Sequence, residues 1–190
     1  MFLVMVAEYL GQSFRLSEEG LLREALTPLY VGLSLFPNSP ELWYEKYRLL
    51  KKLGDPEAYS ALVQCRLVCP TYLPALRSHY EELLKQNRVR EAYHVLDELL
   101  KQDSTNPRWW AHKAFWAMHF GDTQTAEEAL QRASELPQQT PELLYYRALF
   151  LARLGRTAEA AELLEKCIHQ EPALLSEITE EPLLQALLSK

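Results

Sequence analysis

Residues 141–172 read PELLYYRALFLARLGRTAEAAELLEKCIHQEP, and they contain one complete copy of the pattern from which the fold is predicted. Both of its halves carry an apolar stripe spaced i, i+4, i+7: Leu144, Ala148 and Leu151 in the first half, and Ala160, Leu164 and Cys167 in the second. That spacing lies on one face of an α-helix. Gly155 separates the stripes and Pro172 follows the second, so the stretch predicts a helix, a short turn and a second helix.

The same pattern recurs along the whole chain. Its turn residues lie 34, 33, 34 and 34 residues apart: Gly20, Gly54, Asn87, Gly121 and Gly155. An alanine follows each turn at a nearly constant distance: Ala25, Ala58, Ala92, Ala126 and Ala160. A period of this length is typical of helical hairpins that bury their apolar faces by stacking. The sequence predicts five such repeats, at about 4–37, 40–70, 73–104, 107–138 and 141–172.

The ends of the hairpins are also marked in the sequence. Ser39, Asn106 and Thr140 each precede a proline, which is the order of a helix N-cap followed by a first-turn proline. Residues 173–190 do not begin a sixth hairpin, and they predict a broken capping helix over the last apolar face. The prediction is a single domain over residues 1–190, because the repeats leave little room for linkers.

Composition narrows the class of protein. The 190 residues are 48% hydrophobic and 24% charged, which argues against disorder. The net charge of -6 argues against an overall nucleic-acid footprint, and no apolar run approaches the ~18–20 residues of a membrane span. The opening segment lacks a basic start and a cleavage site, and the three cysteines form no close pair. We therefore expect a soluble cytoplasmic protein that inserts in no membrane and binds no nucleic acid.

Sequence motifs for catalysis are missing. There is no HExxH, no GxSxG and no glycine-rich phosphate loop. His112 and His119 are spaced to share a helical face, but two imidazoles alone make a poor metal site. Cys65 and Cys167 occupy the small-residue position of a second helix, where packing accounts for them. We predict no catalytic, cofactor-binding or metal-binding residues, no cofactor, and a protein that is not an enzyme.

The register of these residues resembles the tetratricopeptide repeat family. Its pattern, W-x2-L-G-x2-Y and then A-x3-F-x2-A with a later proline, is degenerate here but in phase over roughly residues 4–172. Tyr47 and Tyr80 stand where the family has glycine in the first helix. The resemblance implies an all-α fold, a right-handed superhelical solenoid of antiparallel hairpins closed by a C-terminal capping helix.

The resemblance also implies a concave groove lined by the first helix of each hairpin. Carried over by register, this face holds seven Lys or Arg and three Glu, although the whole chain is acidic. The expected partner-binding residues are Tyr44, Arg48, Lys51, Lys52, Arg77, Lys85, Arg108, Phe115, Met118, His119, Tyr145 and Arg153. Four of them are large apolar or aromatic groups that packing within a hairpin does not require. The alternative is that all twelve are ordinary surface side chains.

Cationic and aromatic side chains together suit an acidic peptide with a few apolar anchors. The first functional hypothesis is therefore a scaffold or adaptor that binds a partner protein or peptide through the groove. The second is a dedicated chaperone for a secretion-system or assembly substrate. The Lys and Asn constellation of the chaperone-tail carboxylate clamp is not found, since Tyr44 and Arg48 occupy two of its positions. Open solenoid ends also permit a homo-oligomer.

Overall fold

The computed structural model describes residues 2–137 and 140–188, and over these ranges it contains helices and no β-strand. The predicted all-α class is confirmed. The chain divides into two compact units, Met1–Glu98 (unit 1) and Leu99–Lys190 (unit 2), with the division inside one helix. The single-domain organisation of residues 1–190 stays a prediction.

Helices alternate with short turns in both units. Unit 1 contains α1 (Phe2–Glu18), α2 (Leu26–Leu35), α3 (Pro40–Leu53), α4 (Ala58–Val68), α5 (Leu73–Lys85) and the larger part of α6 (Val89–Gln102). Unit 2 contains α7 (Pro107–His119), α8 (Thr123–Glu135), α9 (Pro141–Arg153), α10 (Thr157–Gln170), a 3-10 turn (Pro172–Leu174), α11 (Leu175–Glu180) and α12 (Pro182–Leu188). None of these described helices is both long and apolar enough to cross a membrane.

The five predicted turn residues all adopt left-handed backbone conformations, with φ of 81°, 69°, 57°, 80° and 76° along the chain. This conformation ends a helix, and glycine adopts it without a steric cost from a Cβ atom. After Gly54 the N–H of Asp55 returns to the carbonyl of Leu50 at 2.9 Å. The corresponding bond from Arg88 to Leu83, after Asn87, is also 2.9 Å long. The period read from the sequence is therefore the period of the turns.

The predicted N-caps are confirmed at α3, α7 and α9. Ser39 Oγ accepts from the backbone N–H of Leu42 at 3.4 Å. Asn106 Oδ1 accepts from Arg108 at 3.1 Å, and Thr140 Oγ1 accepts from the third residue of its helix at 3.3 Å. Each bond satisfies one of the N–H groups that a helix start leaves unpaired.

A small residue on the second-helix stripe allows a neighbouring helix to approach closely. A Cβ atom added at Gly32 would lie 3.1 Å from Leu42 and 3.2 Å from Tyr9. Cys65 and Cys167 are buried, and their thiols donate to the carbonyls of Pro40 and Pro141 at 3.2 and 3.3 Å. Burial raises the pKa of Cys65 to about 12, so this cysteine is a packed thiol rather than a nucleophile.

The C-terminal segment covers the last hairpin. Ile178 of α11 and Leu184 of α12 are fully buried in one cluster with Leu144, Leu149 and Leu164. Pro182 starts α12 and separates it from α11, because proline is tolerated at the first helical position but not inside a helix. The apolar face of α9 and α10 is thereby removed from water.

Candidate protein-binding site

The expected partner-binding residues lie on first helices, six in each unit. The unit-1 face comprises Tyr44, Arg48, Lys51 and Lys52 on α3 with Arg77 and Lys85 on α5. The unit-2 face comprises Arg108, Phe115, Met118 and His119 on α7 with Tyr145 and Arg153 on α9. The i, i+3 and i+4 spacing within each helix places these groups along one side of it.

Glu82 is the centre of the unit-1 face. Lys51 Nζ lies 2.7 Å from Glu82 Oε1, and Lys85 Nζ lies 3.3 Å from the same oxygen. Tyr47 donates its hydroxyl to Glu82 at 3.2 Å and accepts from Lys51 at 2.9 Å. Burial opposes the charged carboxylate, but the hydrogen bond from Lys51 outweighs it and holds the pKa of Glu82 below its ordinary value. The network ties α3 to α5.

These contacts neutralise much of the expected basic character of the unit-1 face. Lys51 and Lys85 share the carboxylate of Glu82, and Arg48 pairs with Glu45 at 2.8 Å. Sequence reasoning missed Glu45 and Glu82 because both fall outside the register positions that the resemblance assigns to the groove. The pairing of Glu45 could have been predicted from the sequence, because Glu45 precedes Arg48 by three residues, a spacing at which helical side chains meet.

Two of the large groups on these faces are used in packing between one hairpin and the next. Tyr44 packs its ring 5.8 Å from the rings of Tyr47 and Tyr72, and its hydroxyl lies 3.1 Å from Ser78 Oγ. Met118 is only 9% exposed and belongs to the core of unit 2 with Phe150. Met118 is buried because α7 and α9 pack side by side.

The unit-2 face carries a row of half-buried rings that we call the aromatic row: His112, Phe115, Tyr145 and Tyr146. The centroid of Tyr146 lies 5.1 Å from Phe115, 5.2 Å from Tyr145 and 6.1 Å from His112. Sequence reasoning placed Phe115 and Tyr145 on this face but missed the other two. The helical spacing of His112 and Phe115 could have found the first, and Tyr146 becomes evident only when α9 packs on α7.

Charged groups stand at both ends of the aromatic row. Arg108 on α7 lies 3.9 Å from Glu142 on α9, and both side chains are about half exposed. His119 and Arg153 are exposed at the carboxyl ends of α7 and α9. The described residues contain no group of three or more His, Cys, Asp or Glu side chains that could hold a metal ion. The arrangement offers aromatic surface between cations.

His112 is neutral at the centre of this face. Burial lowers the pKa of its imidazole to about 4, and the nearby Arg108 lowers it further. The ring meets Trp109 edge-on at 5.9 Å and Tyr146 at 6.1 Å. An uncharged ring packs against aromatic neighbours without the desolvation cost of an imidazolium.

This pKa shift predicts a loss of stability in acid. In the unfolded chain His112 binds its proton below the ordinary histidine pKa of 6.5, whereas in the folded chain it does so only below about 4. The contribution of His112 to stability is therefore fully present above that window and is lost as the pH falls through it, by about 3 kcal/mol. Unfolding by urea, followed by circular dichroism between these pH values, should show the slope. His112→Phe should reduce it, and His169→Phe, at an exposed position, should leave it unchanged.

Comparison with known proteins supports the assignment of a fold built from helical hairpins. Residues 83–149 match the family model of the tetratricopeptide repeat. No curated protein matches the sequence. A tetratricopeptide repeat protein from Parabacteroides merdae ATCC 43184 has a TM-score of 0.75 at 13% identity, over 98% of this chain and 74% of that one. MamA from Desulfovibrio magneticus RS-1, from residue 41 to its end, has a TM-score of 0.68 at 22% identity, over 89% and 96%.

A third solved structure, YrrB, has a TM-score of 0.64 at 15% identity, over 85% of this chain and 84% of that one. At identities this low the likeness concerns the fold alone. The turn period, the two helices per repeat and the matched segment 83–149 point to the same family. The number of five repeats stays a prediction. Over the residues that the structure describes, the chain has the helical fold of tetratricopeptide repeat proteins, and its segment 83–149 matches the model of that family.

Proposed function

We propose that this protein is a cytoplasmic scaffold or adaptor, not an enzyme, and that its unit-2 face binds an acidic partner peptide carrying apolar anchors. The observation that carries the proposal is the aromatic row on α7 and α9. Rings that are half-buried in the free protein can be covered fully by a partner, and aromatic groups dominate the energetics of interfaces.

The charges around the aromatic row favour an acidic peptide. Arg108 is exposed, and its 3.9 Å contact with Glu142 is long for an ion pair. Exposed pairs of this kind contribute little to stability, so a partner carboxylate can replace Glu142 at small cost. Arginine also binds carboxylates through two parallel hydrogen bonds. Arg153 offers the same attraction at the far end of the row.

The unit-1 face has a lesser role in this proposal. Three of its six residues, Arg48, Lys51 and Lys85, are already paired with carboxylates of the same unit. Lys52 and Arg77 are exposed and supply long-range attraction for an acidic partner. We therefore assign the anchors of the partner to the unit-2 face.

A peptide ligand has support from one structural relative. YrrB is described as a tetratricopeptide repeat protein with an unusual peptide-binding site. The second hypothesis, a chaperone for a secretion-system or assembly substrate, draws on a different observation: Tyr30, Val31 and Leu35 of α2 are exposed apolar side chains. A small hydrophobic protein that purifies with the chain and dissociates on loss of Tyr30 and Val31 would favour the chaperone.

Phe115→Ala and Tyr145→Ala are the test of the scaffold proposal. The ligand is a fluorescein-labelled peptide in which Glu alternates with Leu or Phe. Each substitution should weaken its binding by about 30-fold, which is the effect of a hot-spot truncation of about 2 kcal/mol. Fluorescence anisotropy measures the affinity. Three of the four tryptophans, Trp109, Trp110 and Trp116, lie on α7, so their emission should change when this peptide binds.

Leu183→Ala is the matched control, because Leu183 is an exposed apolar residue of unit 2 on α12 and is not part of the aromatic row. It should leave the affinity unchanged. A peptide with Lys in place of every Glu should bind more weakly to the unaltered protein. Equal binding of the Glu and Lys peptides, or equal affinities of the Phe115→Ala and Leu183→Ala proteins, would contradict the proposal.

A further inference from the structure

An open cleft lies between α4, α5 and α6 in unit 1, with a volume of about 540 Å³. Its apolar lining is Val63, Leu67, Pro70, Leu83 and Val95. None of the residues of the unit-1 face lines it, so it is separate from that face. Its volume falls in the range of pockets that hold small ligand groups.

The polar centre of this cleft is the guanidinium of Arg66. The side chain is 15% exposed, and its Nη2 donates to Glu98 Oε2 at 2.5 Å. Its Nε is buried and has no hydrogen-bond partner among the residues that the structure describes. Nε and Nη2 form one edge of the guanidinium, the kind of fork that binds both oxygens of a carboxylate. Glu98 therefore satisfies half of a bidentate site, and an unpaired buried donor favours any ligand that completes it.

His79 holds the other side of Arg66. Arg66 Nη1 lies 2.7 Å from His79 Nδ1, and an arginine cannot accept a hydrogen bond, so Nδ1 is the acceptor. The imidazole proton is then on Nε2, which lies 3.1 Å from the hydroxyl of Tyr59. Arg88 donates to the same hydroxyl at 3.1 Å. Burial, and then the charges of Arg66 and Arg88, lower the pKa of His79 to about 4, so the ring stays neutral and Arg66 stays oriented.

Unit 2 has a corresponding cleft two repeats further along, between α8, α9 and α10. Its volume is about 250 Å³, and it contains Ser134 and Arg147 at the positions that Arg66 and His79 hold in unit 1. The repeat architecture therefore accounts for a cleft at this place. It does not account for the larger volume of the unit-1 cleft or for the buried guanidinium Nε in its wall that has no hydrogen-bond partner among the described residues.

We propose that the cleft between α4 and α6 binds the C-terminal residue of a partner peptide that ends in an apolar amino acid. The terminal carboxylate accepts hydrogen bonds from Nε and Nη2 of Arg66 and replaces the carboxylate of Glu98. The apolar side chain packs between Leu67 and Val95. A C-terminal residue suits this cleft because its carboxylate and its side chain branch from one Cα atom. Glu98 is 44% exposed, so its displacement into water costs little.

Three fluorescein-labelled Gly-Ser peptides test the proposal on the unaltered protein by fluorescence anisotropy. They end in leucine with a free carboxylate, in leucine with an amide, and in glycine with a free carboxylate. The leucine acid should bind at least about tenfold more tightly than the other two, because only it has both the charge and the apolar side chain. Equal binding of the acid and the amide, or no binding of the leucine acid, would overturn the proposal.

Variants of the cleft separate binding from structure. Arg66→Gln should weaken binding of the leucine acid by at least about tenfold, since it removes the charged guanidinium. Glu98→Gln should strengthen binding of the leucine acid severalfold, because it replaces the competing carboxylate by an uncharged amide. Arg90→Gln, an equal change at an exposed position of α6, should have no effect.

A purely structural role for Arg66 predicts the reverse for one variant. If Arg66 only ties α4 to α6, Glu98→Gln should weaken binding as Arg66→Gln does, and this result would contradict the proposal. If circular dichroism shows that the Arg66→Gln protein is unfolded, two tests of the proposal remain. They are the comparison of the acid and amide peptides and the effect of Glu98→Gln. Phe115→Ala should leave the affinity for the leucine acid unchanged. Failure of the cleft proposal is therefore distinguishable from failure of the proposed peptide binding at the unit-2 face.

Discussion

Leu62→Ala should lower the free energy of unfolding by about 2–5 kcal/mol, the loss typical of a leucine truncated in a packed core. Leu62 lies on α4 and is fully buried in the core of unit 1, in one cluster with Leu29, Leu42 and Cys65. The truncation removes buried apolar area and leaves a cavity that the surrounding helices fill only in part. Urea unfolding followed by circular dichroism measures the change.

Leu67→Ala is the control for this prediction, because it makes the same chemical change on the same helix. Leu67 is 68% exposed. Its truncation should change the free energy of unfolding by less than about 0.5 kcal/mol, as is usual on a surface. Similar losses for Leu62→Ala and Leu67→Ala would show that the apolar stripe of α4 does not face the core.

Ile178→Asp should destabilise unit 2 by about 4 kcal/mol or more, because it places a carboxylate without a partner in an apolar site. Ile178 of α11 is fully buried against the last hairpin. The substitution should detach α11 and α12 and expose Leu144 and Leu164 of the hairpin beneath. Amide hydrogen exchange should then show lost protection in α9 to α12, while α3 and α4 keep theirs.

Leu183→Asp provides the comparison, because it adds the same charge to the neighbouring helix at a side chain that is 44% exposed. Water can solvate this carboxylate, so the loss should be small. If Ile178→Asp were as mild as Leu183→Asp, the C-terminal segment would not be a lid over the hairpin.

The local geometry of the repeats could be read from single positions. Gly54 and Asn87 predicted turns, and both have left-handed φ, because few other residues tolerate that conformation. Ser39 and Asn106 predicted caps, since short polar side chains accept hydrogen bonds from the first turn of a helix. Each of these features depends on residues within a few positions of one another.

The electrostatics of the candidate site could not be predicted in the same way. Counting charges on the register positions made the unit-1 face basic, whereas Glu82 neutralises Lys51 from the next first helix. Tyr44 and Met118 were expected on open surface and are used in packing. Whether such a side chain is exposed depends on the helix beside it, which lies some 30 residues away in sequence.

The amino-acid sequence alone predicts where the chain turns, which face of each helix is apolar and which family the repeats resemble. Turn, cap and stripe are properties of short segments, and steric limits and helical periodicity decide them locally. The three-dimensional structure was needed to show which charges meet, which rings form the aromatic row and how Arg66 is held in its cleft. Those contacts join residues of different helices, and their distances follow from how the helices pack.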